Sequence, residues 1–125
     1  ATASASYPLD LYDKICKAKT ISGPKYIHVH TPCPTGWGFN PRYAIQIGRW
    51  AVECGLYDLY EKENDRFELS GPSKRLMNKQ RRPVSDYLEA QTRFRGYGRA
   101  QVEAVQQEVD KKWATYIKEA ECGVL

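Results

Sequence analysis

Three things are scarce in this chain of 125 residues, and each shortage closes off a class of protein. Long apolar runs are missing. None approaches the roughly 18 residues that a membrane-spanning helix needs, so no membrane role is expected. Cysteine is sparse and scattered: Cys16, Cys33, Cys54 and Cys122 form no CxxC pair. That spacing argues against a disulfide-stapled scaffold and against a self-contained zinc site. Free thiols suit a reducing, cytoplasmic compartment. Internal repeats and low-complexity stretches are also lacking. The opening ATASASYPLD has neither an initiator Met nor a basic-then-apolar leader, and it reads as a chain entered partway through.

What is present is an ordinary hydrophobic fraction of 42%, enough for one domain or part of a larger one, and an uneven charge. Between Lys74 and Arg99 stand eight Lys/Arg and two acids, a local net charge of +6, while the chain as a whole carries +4. Such a block suits nucleic acid, a phosphorylated ligand or an acidic protein, or it is simply a solvated connector. It carries no zinc, helix-turn-helix or RNP signature, and the aromatic residues fall mostly on core stripes. No nucleic-acid partner is therefore expected.

Periodicity divides the chain in two. Leu9 to Lys19 reads as a helix with Pro8 in its first turn and Leu11, Ile15 and Ala18 on one face. Gly23-Pro24 breaks it, and Lys25 to His30 reads as a strand; ATASAS suits the loop end of an earlier strand. Helix followed by strand is the repeating half of an α/β layer. From Asn40 onward the pattern changes. Asn40-Pro41 opens a helix with a buried stripe of Ala44, Ile47, Gly48, Ala51 and Val52, closed by Gly55. Gly48 and Ala51 suggest close approach by another backbone. Tyr57 to Lys62 and Arg66 to Leu69 flank the polar turn Glu63-Asn64-Asp65, a hairpin pattern. Gly71 to Arg82 reads as a basic connector. Pro83 opens a short helix to about Phe94, with Val84, Tyr87, Leu88 and Gln91 at helical spacing. After Gly96-Tyr97-Gly98 comes the most regular stripe: Val102, Val105, Val109, Trp113, Tyr116 and Ile117.

One thiol stands apart. Cys33 lies between Pro32 and Pro34, just past the strand, and both rings restrict its backbone. Loops at the C-terminal ends of strands in open α/β sheets are where ligands sit. A thiolate there can be a nucleophile, a metal ligand, a redox thiol, or a small buried core residue. His28 and His30 share one face of the strand, and nothing in their spacing makes either a catalytic partner for the thiol. Cys16 and Cys54 read as core residues on helices, and Cys122 falls in the tail.

The strings GPKYIHVHTPCPTGWGF, AVECGLYDLYEKEN, RRPVSDYLEAQTRF and VQQEVDKKW resemble the C-terminal part of the β subunit of pyruvate:ferredoxin oxidoreductase and related 2-oxoacid:acceptor oxidoreductases. The likeness runs from ATASASYPLDL to Trp113. It implies an α/β fold in which residues 1–39 supply the last helix and strand of a thiamine diphosphate-binding α/β domain. Residues 40–125 would be a C-terminal extension of helix, hairpin, basic connector and two helices. The implied cofactors are thiamine diphosphate, Mg²⁺ and a 4Fe-4S cluster, held mostly by parts of the subunit or complex outside these residues. The implied partners are α, γ and δ type subunits, ferredoxin or another electron acceptor, a 2-oxoacid and CoA.

In that family a proline-flanked cysteine is the fourth ligand of the cluster nearest the thiamine, and by resemblance that ligand is Cys33. No catalytic residue falls in this stretch. The reaction implied is oxidative decarboxylation of a 2-oxoacid, most simply pyruvate, to the acyl-CoA. Two departures matter. The GDG-plus-Asn diphosphate motif and the N-terminal CxxC with its third cysteine are absent, so the segment alone is expected to be inactive. The last helix's Val/Trp face is expected to pack against neighbouring chains, and the basic block to face an acidic carrier, CoA phosphates or solvent. The rival to this reading is a non-catalytic assembly or adaptor module, colourless and independent of iron.

Overall fold

The computed structural model describes residues 1–64 and 66–121, without the side chain of Glu121. Asp65 of the expected turn and Cys122 lie outside the described residues. The architecture mixes helices with two small sheets. Strands β1 (Thr2–Ser4) and β2 (His28–His30) pair in parallel, with Ala3 opposite Val29, and helix α1 (Pro8–Thr20) joins them. The strand expected over Lys25 to His30 is thus shortened to its last three residues. Only that part finds a partner, because β1 itself is three residues long.

Helix α1 starts at Pro8, whose missing N–H costs nothing in a first turn. The inward face differs from the expected one. Lys14 is 3% exposed, whereas Ile15 is 45% exposed. The Lys14 ammonium donates to the Thr2 carbonyl at 2.8 Å and to Asp10 at 2.7 Å. A buried cation persists only when it is paired and hydrogen-bonded, and here both conditions hold. Cys16, expected in the core, is exposed on this helix instead.

After β2 comes the one-turn helix α2 (Pro34–Trp37), then a 3₁₀ turn at Pro41–Tyr43 that runs into α3 (Ala44–Glu53). Asn40 caps as expected, its Oδ1 accepting from the Arg42 amide at 3.1 Å. Ile47, Gly48, Ala51 and Val52 are buried. Gly55 follows the helix with φ +76°, the left-handed conformation that closes many helices. A side chain at Gly48 would run into Ser6 and approach Pro32 to 3.1 Å, so α3 lies directly against the start of the Cys33 turn.

The hairpin forms from β3 (Tyr60–Glu63) and β4 (Arg66–Leu69), antiparallel with Tyr60 opposite Leu69. The expected basic connector is not simply a loop, because Gly71–Leu76 forms helix α4. Ser73 is buried there, and its hydroxyl accepts from the Leu59 amide at 2.8 Å. Helix α5 (Val84–Glu89) and a 3₁₀ turn (Thr92–Phe94) replace the single helix expected to Phe94. Val84, Tyr87, Leu88 and Gln91 are all buried, as their spacing predicts.

The last helix, α6 (Arg99–Glu121), crosses over this layer. The middle of its Val/Trp face is covered by the chain itself, whereas Val102, Val105, Tyr116 and Ile117 stay half-buried. Trp113 is fully buried inside the chain's own core with Ile47, Ala51, Leu76 and Tyr87, and its indole N–H donates to the Gly55 carbonyl at 2.9 Å. Asp58 reinforces the join, bonding Lys112 at 2.8 Å and the Tyr116 hydroxyl at 3.1 Å. Burial pushes the Asp58 carboxyl upward, and the Lys112 ammonium pulls against it. No helix among the described residues is long and apolar enough to cross a membrane.

Candidate functional site

Cys33 is the N-cap of α2 and is exposed. Its backbone is extended (φ −106°, ψ 102°), as a residue before proline must be, and Pro34 occupies the first helical position. The Gly36 amide donates to its sulfur at 3.3 Å. A side chain at Gly36 would stand 3.2 Å from that sulfur, so glycine leaves the sulfur's surroundings open. Within this chain Cys33 is therefore not a core thiol. An amide donor together with an open sulfur suits a thiolate that bonds outward.

The turn is held at both ends. Pro32 abuts Gly48 on α3. At the far end, the Trp37 amide donates to the Cys33 carbonyl at 2.9 Å, and Gly38 turns left-handed at φ +69°. The Gly38 carbonyl accepts from the Thr92 amide at 3.1 Å. The Trp37 ring lies between His30, centroids 5.5 Å apart, and the Arg93 guanidinium, 3.9 Å from the ring centre. Thr92 and Arg93 were not legible as site residues. Nothing in a one-dimensional pattern links positions 92 and 93 to a turn near position 35.

His28 and His30 face the same way, as alternation along a strand requires, and both meet Tyr57. Tyr57 donates to the His28 carbonyl at 2.8 Å, and burial pushes its hydroxyl up to about 12. Burial first, then the Arg93 and His28 charges, hold His30 down at about 4. His30 is thus neutral at ordinary pH. It packs against Trp37 and Tyr57, and no hydrogen bond ties it to the thiol.

Four of the eight basic residues of the block form ion pairs among the described residues. Arg81 bonds Asp110 at 3.0 Å and lies over Trp113. Arg82 bonds Glu53 at 3.1 Å and Asp86 at 2.7 Å, and stacks on Trp50. Lys74 pairs with Glu68 and Arg99 with Glu103. Arg81 and Arg82 thus join α3, α5 and α6, while Lys74, Arg75, Lys79, Arg95 and Arg99 stay exposed as a solvated connector would.

The described residues hold three cysteines, so a cluster with four thiolate ligands cannot be built from them alone. Among the described residues, no three His, Cys, Asp or Glu side chains come together as a metal-holding group. Cys54 is buried, with its thiol pushed up to about 11 by burial, and is unsuited to ligation. Among the described residues two thiols are exposed, Cys16 on α1 and Cys33 on its braced turn, and only the second is held by a turn with an amide aimed at its sulfur.

Comparison with known proteins gives a consistent result. Pyruvate synthase subunit PorB of Methanothermobacter marburgensis is 47% identical over 110 residues, covering 88% of this chain and 36% of the relative. The subunit of the same name from Methanocaldococcus jannaschii is 45% identical over 113 residues, 90% and 36% of the two chains. Ketoisovalerate oxidoreductase subunit VorB of Pyrococcus horikoshii is 37% identical over 121 residues, 97% and 38%. The chain therefore spans little more than a third of the length of the curated relatives it matches. No family model matches it.

Proposed function

We infer, for a chain that belongs to the family of 2-oxoacid:ferredoxin oxidoreductase β subunits, that it serves as one segment of such a subunit inside a multichain enzyme. The reaction is oxidative decarboxylation of a small 2-oxoacid to its acyl-CoA, with electrons leaving to ferredoxin or a similar carrier. Pyruvate is the first choice, because the archaeal relatives named for pyruvate are 45–47% identical against 37% for a relative named for ketoisovalerate, although the pyruvate-named subunit of Thermotoga maritima is only 33% identical. Residues 1–39 form the end of the thiamine diphosphate-binding domain, and residues 40–125 its extension.

Thiamine diphosphate would supply the carbanion chemistry of decarboxylation and a 4Fe-4S cluster the one-electron transfers. This chain's own contribution is to hold and orient. Pro32 and Pro34 restrict the backbone on either side of Cys33, the Gly36 amide is aimed at the sulfur, and the exposed thiolate is presented as one cluster ligand. Ligand geometry and the hydrogen bonds around it tune a metal centre, so such rigidity has a use. The observation that carries the reading is the exposed, proline-bracketed Cys33 at the C-terminal end of a parallel strand.

The test is the intact assembly, purified without oxygen together with the chains that accompany it. It is expected to be brown, to contain iron and labile sulfide, and to reduce a viologen dye with pyruvate and CoA faster than with 3-methyl-2-oxobutanoate and CoA. A colourless assembly without iron and without 2-oxoacid-dependent dye reduction would contradict the reading and leave a scaffold. Faster turnover of the branched acid would overturn the choice of pyruvate.

A further inference from the structure

Arg93 sits in the basic stretch, yet its guanidinium is spent on the Cys33 turn. The guanidinium carbon lies 3.9 Å from the centre of the Trp37 ring and 4.6 Å from that of Phe94. Its Nη2 donates to the hydroxyl of Tyr87 at 3.1 Å, and Tyr87 is 2% exposed in the α5 core. Trp37 closes the single turn that Cys33 opens. The neighbouring Thr92 holds the next residue, Gly38, through its amide and leaves no room there for a side chain. Arg93 is itself exposed, but a planar cation hydrogen-bonded to a buried hydroxyl and stacked on an indole braces both at once, and lysine cannot reproduce its fork.

We propose that Arg93 is a positioning residue for Cys33: it pins Trp37, and through Trp37 fixes the direction in which the Cys33 thiolate meets its iron–sulfur cluster. This rests on the reading of Cys33 as a cluster ligand. The prolines secure the near end of a four-residue turn, and Arg93 with Thr92 secures the far end. With the far end released, the sulfur keeps its place in the sequence but loses its direction in space. A stacked arginine of this kind shifts a local opening equilibrium by about fivefold.

The experiment uses the intact assembly, isolated anaerobically, with Arg93→Met, Arg93→Lys and Cys33→Ser, and with Arg95→Met as a control at a nearby arginine that does not touch Trp37. Two quantities are read: the electron paramagnetic resonance spectrum of the reduced protein, and the rate at which a chelator removes iron. Arg93→Met is expected to retain iron but to show a shifted or broadened cluster signal and iron loss about fivefold faster. Arg93→Lys should recover only part of both effects, and Arg95→Met should match the native protein. A spectrum and rate for Arg93→Met equal to those of the native protein, while Cys33→Ser alters the cluster, would overturn the proposal and leave the ligand assignment standing. Cys33→Ser with full iron and an unchanged spectrum would overturn the ligand assignment itself. Should Arg93→Met fail to assemble, Trp37→Phe shrinks the platform under the guanidinium and is held to the same two readouts.

Discussion

At the scale of single residues, burial and charge decide roles that the sequence leaves open. Lys14 and Ile15 are neighbours on α1, and it is the lysine that turns inward, because Asp10 and the Thr2 carbonyl satisfy its ammonium. Periodicity marks the apolar positions of a helix, but not a charged residue whose partners come from elsewhere in the chain. His30 shows the same dependence on context. In the folded chain it loses its proton at about 4, against an ordinary value of 6.5, chiefly because burial disfavours the imidazolium. The unfolded chain therefore binds more protons at this site between those two values. The His30 contribution to stability should be fully present above the higher value and lost as pH falls through the window. His30→Leu should flatten the decline of the urea midpoint across that range. An equally steep decline in the variant would show that His30 is not the titrating group.

At the scale of elements, the helices with regular stripes were legible and the connections were not. The α6 stripe, the α3 stripe and the α5 spacing all appear where the pattern puts them, while Asn40 caps the 3₁₀ turn that precedes α3. The hairpin also forms, but β3 starts at Tyr60 and not Tyr57, and Glu63, expected in the turn, pairs with Arg66. Helix α4 was missed because Gly71-Pro72 at its start reads as a break, and because its two inward residues, Ser73 and Leu76, make too short a stripe. The partners of the basic block were illegible for another reason: Glu53, Asp86 and Asp110 lie on three different elements, and a net charge summed along the chain does not reveal pairings across it. On α6, Val109 and Trp113 are covered by the same chain, while Val102, Val105, Tyr116 and Ile117 stay half-buried. A stripe shows that a face is buried, but not whether the cover comes from the same chain. Since Trp113 fills the chain's own core and bonds Gly55, Trp113→Ala should cost about 3–5 kcal/mol in chemical denaturation. A loss under about 1 kcal/mol would mean that the α6 face is not part of this core.

At the scale of the whole molecule, the two parts do different work. The β1–α1–β2 unit is thin, with three residues per strand, and it ends in the turn that carries Cys33. Most of the hydrophobic core lies beyond residue 40, where α3, α4, α5 and α6 pack around Trp113. That second part reaches back to brace the turn, through Gly48 against Pro32, Thr92 to Gly38 and Arg93 on Trp37. Proline flanks announced a constrained thiol in the sequence. The bracing from positions 48, 92 and 93 emerged only with the fold, because long-range contacts leave no local periodicity. The central claim is that this braced sulfur bonds iron in the assembled enzyme. Iron and labile sulfide counted per β subunit in the anaerobically purified assembly, native beside Cys33→Ser, test it most directly. The account predicts that the variant assembles with its partner chains but has lost or visibly altered one 4Fe-4S cluster. A variant with native iron, native sulfide and a native resonance spectrum would contradict it.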